Sequence, residues 1–169
     1  MARHYLALVL GVLCGCTDPS DTGPSLGQSD ITAQGAIAFG TSNYSIDTAL
    51  DRIACARLGW VSCWSADYQT SLTFVPGSAG LTPGSFSMQW LDDGSPTGWL
   101  NAGPPSLHPI SGVTLITSVT DEEVRGAVDW VVAVPPDIGA PPDPTLGTVQ
   151  VRGTFRAQRV SGDSNCIAA

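Results

Sequence analysis

Lysine is absent from this chain of 169 residues, and seven arginines face fifteen acidic residues for a formal net charge of −8. Binding to nucleic acid rests on neutralising phosphates with basic side chains, so a nucleic-acid partner is not expected. Long apolar runs are also missing. The longest, 6–13, is far short of the roughly 20 residues that cross a hydrocarbon core, so no permanent transmembrane helix is expected. Histidine is scarce: beyond His4 there is His108 alone. A nucleophilic serine needs a histidine base steadied by a carboxylate, and little is available to build one. A zinc site needs four ligands at paired spacings, and the cysteines and His108 show no such spacing, so neither a metal nor a cofactor is expected.

The first residues follow the logic of an export signal, with Arg3 and His4 at the basic end, the apolar stretch 6–13, and small Gly15 before Cys16. The segment Leu13-Cys14-Gly15-Cys16 resembles the lipobox of bacterial lipoproteins, a likeness confined to about the first 16 residues. It implies that 1–15 are removed as a signal peptide and that Cys16 becomes the acylated first residue, carrying diacylglyceryl and palmitate-type chains. Two or more chains give stable membrane anchoring where one gives marginal binding. In that family's sorting pattern an Asp after the cysteine retains the protein in the inner membrane; Thr17 points instead to the outer membrane.

The stretch 16–30 is rich in Ser, Thr, Gly, Pro and Asp and reads as a flexible tether able to lift a domain some tens of ångströms from the bilayer. The expected domain is 31–169, a single-core length. Three cysteines remain in an oxidising compartment: Cys55, Cys63 and Cys166. One bridge and one spare thiol are expected. Cys55 and Cys63 could meet across a hairpin, or Cys166 could staple the C-terminal tail to either.

Alternation of period two recurs between turn-rich breaks. Leu72 and Phe74 form one run; Phe86, Met88 and Trp90 a second; Val113, Leu115, Thr117 and Val119 one face of a third. Val124, Gly126, Val128, Trp130, Val132 and Val134 make a fourth, and Val149, Val151, Gly153, Phe155 and Ala157 a fifth. Such a pattern predicts an all-β fold, an antiparallel β-sandwich or barrel-like relative with at most one short helix. The shared Val-Arg-Gly pattern at 124–126 and 151–153 places Arg125 and Arg152 outward on neighbouring strands, with each glycine at a bulge or a close approach. Residues 45–58 are ambiguous. Ile46, Ala49, Leu50, Ile53, Ala54 and Leu58 fit helical spacing, whereas Tyr44, Ile46, Thr48 and Leu50 fit a strand.

The connection 91–112 is long for a compact domain, and such loops are functional or disordered unless they hide a strand, here around 98–102. Asp92, Asp93, Trp99, Asn101 and His108 make it the candidate ligand loop. Five prolines in 135–144 suggest a stiff crossover. Trp90 and Trp130 share phase with core residues, while Trp60, Trp64 and Trp99 are the candidates for exposure and for stacking on sugar rings. Gly162-Asp163-Ser164 matches the nucleophile segment of trypsin-like proteases in three letters only, and reads as a turn. Paired acids such as Asp92-Asp93 and Glu122-Glu123 read as solvated tips. The expected function is therefore a non-enzymatic envelope module that meets an envelope protein or other ligand, with glycan binding as the alternative and a small hydrolase third.

Overall fold

A computed structural model describes residues 23–57, 59–76, 80–91, 93–103 and 106–160. The lipobox with Cys16, Asp92 and Cys166 lie outside the described residues. The fold is all β. Ten strands run in chain order as β1 (Gln28–Phe39), β2 (Ser42–Leu50), β3 (Ile53–Arg57), β4 (Trp60–Trp64), β5 (Thr70–Phe74), β6 (Gly84–Ser87), β7 (Gly98–Ala102), β8 (His108–Val119), β9 (Glu123–Ala133) and β10 (Gly147–Arg159). Among the described residues no α-helix forms; Pro144–Leu146 make one 3-10 turn, capped by the Asp143 side chain accepting from the Thr145 amide.

All ten strands belong to one sheet, ordered β6-β8-β9-β10-β3-β4-β5-β7, with β1 beside β10 and β2 beside β1. The pivot is β10. It pairs with β9 along one edge from Thr148 to Gln158; on the other it pairs with β1, then at Gln158 and Arg159 runs parallel to Cys55 and Ala56 of β3. One long half (β6, β8, β9, β10, β1, β2) therefore continues into a short-stranded half (β3, β4, β5, β7) that folds back over it. The curl brings Phe74 of β5 against Trp130 of β9 at 5.9 Å, edge to face, and against Phe155 of β10 at 5.5 Å. The far ends approach each other where Leu100 and Leu107 exchange two backbone hydrogen bonds of 2.8 Å. A partly closed, barrel-like sheet thus stands where two separate sandwich layers are one expectation. A single curled sheet buries the same alternating faces with fewer free edges.

In the ambiguous stretch 45–58 the described residues form the end of β2, up to Leu50, and β3, Ile53–Arg57, with no helix; Leu58 lies outside the described residues. Ile46 and Leu50 point into the core from β2, and Ala54 and Ala56 from β3. Gly40, at φ 59, is the first of two residues joining β1 to β2, a geometry suited to a tight hairpin. The first strand begins at Gln28, ahead of the Ile31 boundary, because the Ser29 hydroxyl is buried and donates to the Leu50 carbonyl at 2.6 Å.

The face expected of β8 is inverted. Val113 and Leu115 are exposed, while Thr114 and Ile116 are buried. Both sets alternate equally well in the sequence, and the choice falls to Trp130, whose buried indole N–H donates to the Thr114 hydroxyl at 3.0 Å. A register shift between Ile116 and Ser118 then returns Val119 to the core side. The β9 and β10 faces stand as the alternation has them, and Arg125 and Arg152 lie on adjacent strands. Gly126 and Gly153 mark close approaches: a Cβ would come within 2.5 Å of the Phe155 ring at the first and within 2.6 Å of the Ile31 Cα at the second.

Candidate functional site

The 22-residue loop dissolves. Residues 98–102 are β7, paired along its length with β5, and β8 starts at His108. Asp93 closes a turn, accepting from the Ser95 amide at 2.9 Å and its hydroxyl at 2.5 Å, and these bonds hold its carboxyl below the usual range. Asn101 is likewise committed, donating to Ser71 at 3.4 Å and accepting from the Ser106 hydroxyl at 2.5 Å. These two serve the fold. Trp99 and His108 remain, and they belong to different surfaces.

The first surface is the outer face of the short-stranded half. Val61, Cys63, Leu72, Phe74 and Leu100 point into the core, so alternation sends Trp60, Ser62, Trp64, Thr73 and Trp99 to the other side. Register aligns Cys55, Ser62, Thr73 and Trp99 in one row across four strands. Trp60 and Trp64 flank that row, and all three indoles are half-buried. Ser62 and Thr73 are hydrogen-bonded to each other at 2.7 Å and are 2% and 8% exposed. Trp60, Trp64 and Trp99, each a candidate for exposure in the sequence, lie on this one outer face and are half-buried.

The same register separates the cysteines. Cys63 lies opposite Ala54 on the core side, and Cys55 opposite Ser62 on the outer side. Facing opposite ways on adjacent strands, they cannot bond, which removes the Cys55–Cys63 hairpin bridge. Cys63 is a free, wholly buried thiol, and burial pushes its ionisation up to about 12. It is an inert core residue, not a nucleophile.

The second surface is a cleft of about 440 Å³ between the proline-rich crossover and the start of β8, lined by Phe39, His108, Pro135, Pro136 and Ile138 among others. Ile138 projects fully into solvent from the crossover. His108 sits edge-on to Trp90 at 5.1 Å. Burial lowers its ionisation, against the opposing effect of a hydrogen bond to the Gly98 backbone, and its buried Nδ1 has no hydrogen-bond partner. The imidazole is thus mainly neutral near pH 7.

Sequence reasoning missed one charged cluster. Glu123, taken with Glu122 as part of a solvated tip, bridges Arg125 and Arg156 at 2.6 Å each, and the bond from Arg156 chiefly holds its carboxyl low. The signal was spacing: Glu123 and Arg125 share a strand face, and register sets Arg125 opposite Arg156. Among the described residues no group of three or more His, Cys, Asp or Glu could hold a metal ion. No family model, curated protein or solved structure matches this chain.

Proposed function

We propose that this chain is a bacterial envelope lipoprotein, lipidated on Cys16, held at the outer membrane, and acting without catalysis as a binding module for another envelope component. The lipobox carries the anchor, and the cleft beside Ile138 carries the contact. Its lining combines Phe39, Ile138 and two prolines with the His108 imidazole, Ser106 and Asp137, a composition suited to a mainly apolar segment of a protein partner flanked by polar groups. A hydrolytic reading gains little from His108, whose Nδ1 lacks the carboxylate partner that would orient a base.

Glycan binding is the second reading, favoured by the grouping of Trp60, Trp64 and Trp99 on one face. Flat indoles around a hydroxyl pair suit the apolar face and the hydroxyls of a sugar ring.

The test uses the full-length chain expressed in a Gram-negative host. Labelled palmitate should enter the protein and the protein should fractionate with the outer membrane, both lost in Cys16→Ala. A photo-crosslinking residue at position 138 should capture a discrete envelope protein that the same residue at Thr32 does not. Absence of palmitate would overturn the anchor, and equal capture at both positions would overturn the cleft. A shift of tryptophan fluorescence with cell-wall sugars, lost in Trp99→Ala, would transfer the function to the tryptophan face.

A further inference from the structure

We infer that β2 is a docking edge for a second copy of this chain, the two β2 strands pairing antiparallel across a two-fold axis at Ile46. The last strand of an open sheet carries a row of unpaired N–H and C=O groups, and proteins blunt such edges by shortness, proline, charge or cover. Among the described residues three strands end the sheet: β6, β7 and β2. β6 is only four residues long. β7 is covered at its centre, where Leu100 bonds Leu107 in both directions. β2 runs for nine residues and pairs with β1 alone. It holds no proline and no basic residue, and its register with β1 is unbroken. Its one carboxylate, Asp47, already accepts from the Gln34 amide at 3.0 Å.

The hairpin fixes which groups are open. Gly40 and Thr41 alone join β1 to β2, so Phe39 and Ser42 form the closing hydrogen-bonded pair and bonded pairs recur at every second residue. Ser42, Tyr44, Ile46, Thr48 and Leu50 therefore turn their backbone groups to β1, and those of Asn43, Ser45, Asp47 and Ala49 point to the open edge. The far side of β1 agrees. A Cβ on Gly35 would come within 2.8 Å of the Val149 Cα, and one on Gly153 within 2.6 Å of the Ile31 Cα, the close approach of pairs that exchange no bonds. Gly35 and Ile31 thus direct their bonds to β2. All four edge-facing residues of β2 are exposed.

Donors and acceptors at this spacing are met by another strand. A second copy fits by register and by charge. Pairing about Ile46 sets Asn43 opposite Ala49 of the other copy and Ser45 opposite its Asp47, each pair exchanging two bonds, and engages β2 over its whole length. On the inner face it sets Ile46 against Ile46 and Tyr44 against Thr48, aromatic and β-branched neighbours of the kind that stabilise sheets. Charge complementarity selects this register in a chain of net charge −8. A two-fold at Asp47 sets carboxylate against carboxylate, whereas at Ile46 each carboxylate meets a serine. A slip of one residue removes the bonds altogether, because edge-facing residues then oppose residues committed to β1. The contact is one strand wide, at the small end of interface sizes, so the dimer dissociates on dilution.

Sedimentation equilibrium of the full-length chain in excess density-matched detergent, combined with residue-resolved hydrogen exchange, tests the edge. A monomer–dimer equilibrium is expected, with the amides of Asn43, Ser45, Asp47 and Ala49 protected when concentrated and released on dilution, while Tyr44, Ile46 and Thr48 stay protected throughout. Ser45→Pro deletes the central edge-facing N–H without touching a bond to β1, and should abolish the dimer with circular dichroism unchanged. Where that variant folds poorly, two charge variants decide: Ser45→Asp should weaken the dimer and Ser45→Arg tighten it, each by about 2- to 30-fold through two symmetric pairs with Asp47. A monomer at every concentration overturns the inference, as does a dimer indifferent to both charges. Edge amides protected in the dilute monomer would show an edge covered within one chain, and a photo-crosslinker at position 43 that captures a different protein and no second copy would hand the edge to that protein. Capture at position 138 enters none of these readouts, so a failure of the cleft reading leaves the dimer standing.

Discussion

The two halves of the sheet share one interior but turn very different faces outward. On the long half, the outer surface is a ladder of charge and amide: Arg152 donates to Asp129 at 3.0 Å, Gln150 to the same carboxylate at 2.7 Å, and Gln34 to Asp47 at 3.0 Å. On the short half, the corresponding positions hold tryptophan, cysteine, serine and threonine, and the hydroxyls are buried. The first face keeps these polar groups solvated beside the exposed Val113 and Leu115 of β8. The second has removed polar groups from water, a step that costs free energy unless each group is paired, as Ser62 and Thr73 are. Alternation of period two produced both faces; what differs is whether the outward residues favour water or another surface.

The largest effect is expected where the halves meet. Trp130→Ala removes the ring that clamps Phe74 and orphans the Thr114 hydroxyl, so stability should fall by about 3–5 kcal/mol in urea denaturation. A loss below about 1 kcal/mol would mean that the halves do not share one core.

Next comes the hydroxyl pair of the short half. Ser62→Ala leaves Thr73 buried without its partner and should cost about 1–3 kcal/mol, whereas Ser62→Ala with Thr73→Val should recover much of that loss. Additive losses in the double variant would place both hydroxyls in water and erase the contrast between the faces.

On the long half, the partly shielded ion cluster around Glu123 should matter moderately. Glu123→Gln is expected to cost about 1 kcal/mol at pH 7, since it weakens two charge-assisted bonds while Glu123 is only 13% exposed. Because folding lowers the Glu123 ionisation, its contribution is complete above the unfolded carboxyl value, near pH 4.5, and disappears as pH falls through the lower folded value. Parent and variant should therefore separate most in chemical denaturation above about pH 5 and draw together progressively as the pH is lowered below the unfolded carboxyl value. A constant gap across that window would show a packing effect instead of an electrostatic one.

Smallest of all is Arg152→Ala, expected to change stability by no more than about 0.5 kcal/mol because both partners are more than half exposed. A larger loss would mean that the charged ladder is not simply solvated.

Much of the strand content was legible because alternation reports burial directly, as in Val128, Trp130 and Val132, or Val149, Val151 and Phe155. It failed at β8, where two interleaved apolar sets made either face plausible and a hydrogen bond from another strand chose between them. At 91–112 it left two readings open, a long ligand loop or a loop hiding a strand around 98–102, and the pairing of β7 with β5 selects the second. The candidate site was legible only in fragments. Trp60, Trp64 and Trp99 could be named from the sequence as candidates for exposure, but their assembly into one face depends on β7 pairing with β5 and β5 with β4. His108 gains its aromatic neighbour Trp90 through the same long-range placement.

The sequence by itself determined the alternation, the turns and hence the all-β character, because those arise from each residue's preference for core or water and from local backbone freedom. Only the tertiary structure decided which neighbour each strand took, that Cys55 and Cys63 face opposite ways, and that three indoles share a surface. Those outcomes depend on register between distant strands. A shift of one residue exchanges the two faces of a strand while leaving its local preferences almost unchanged.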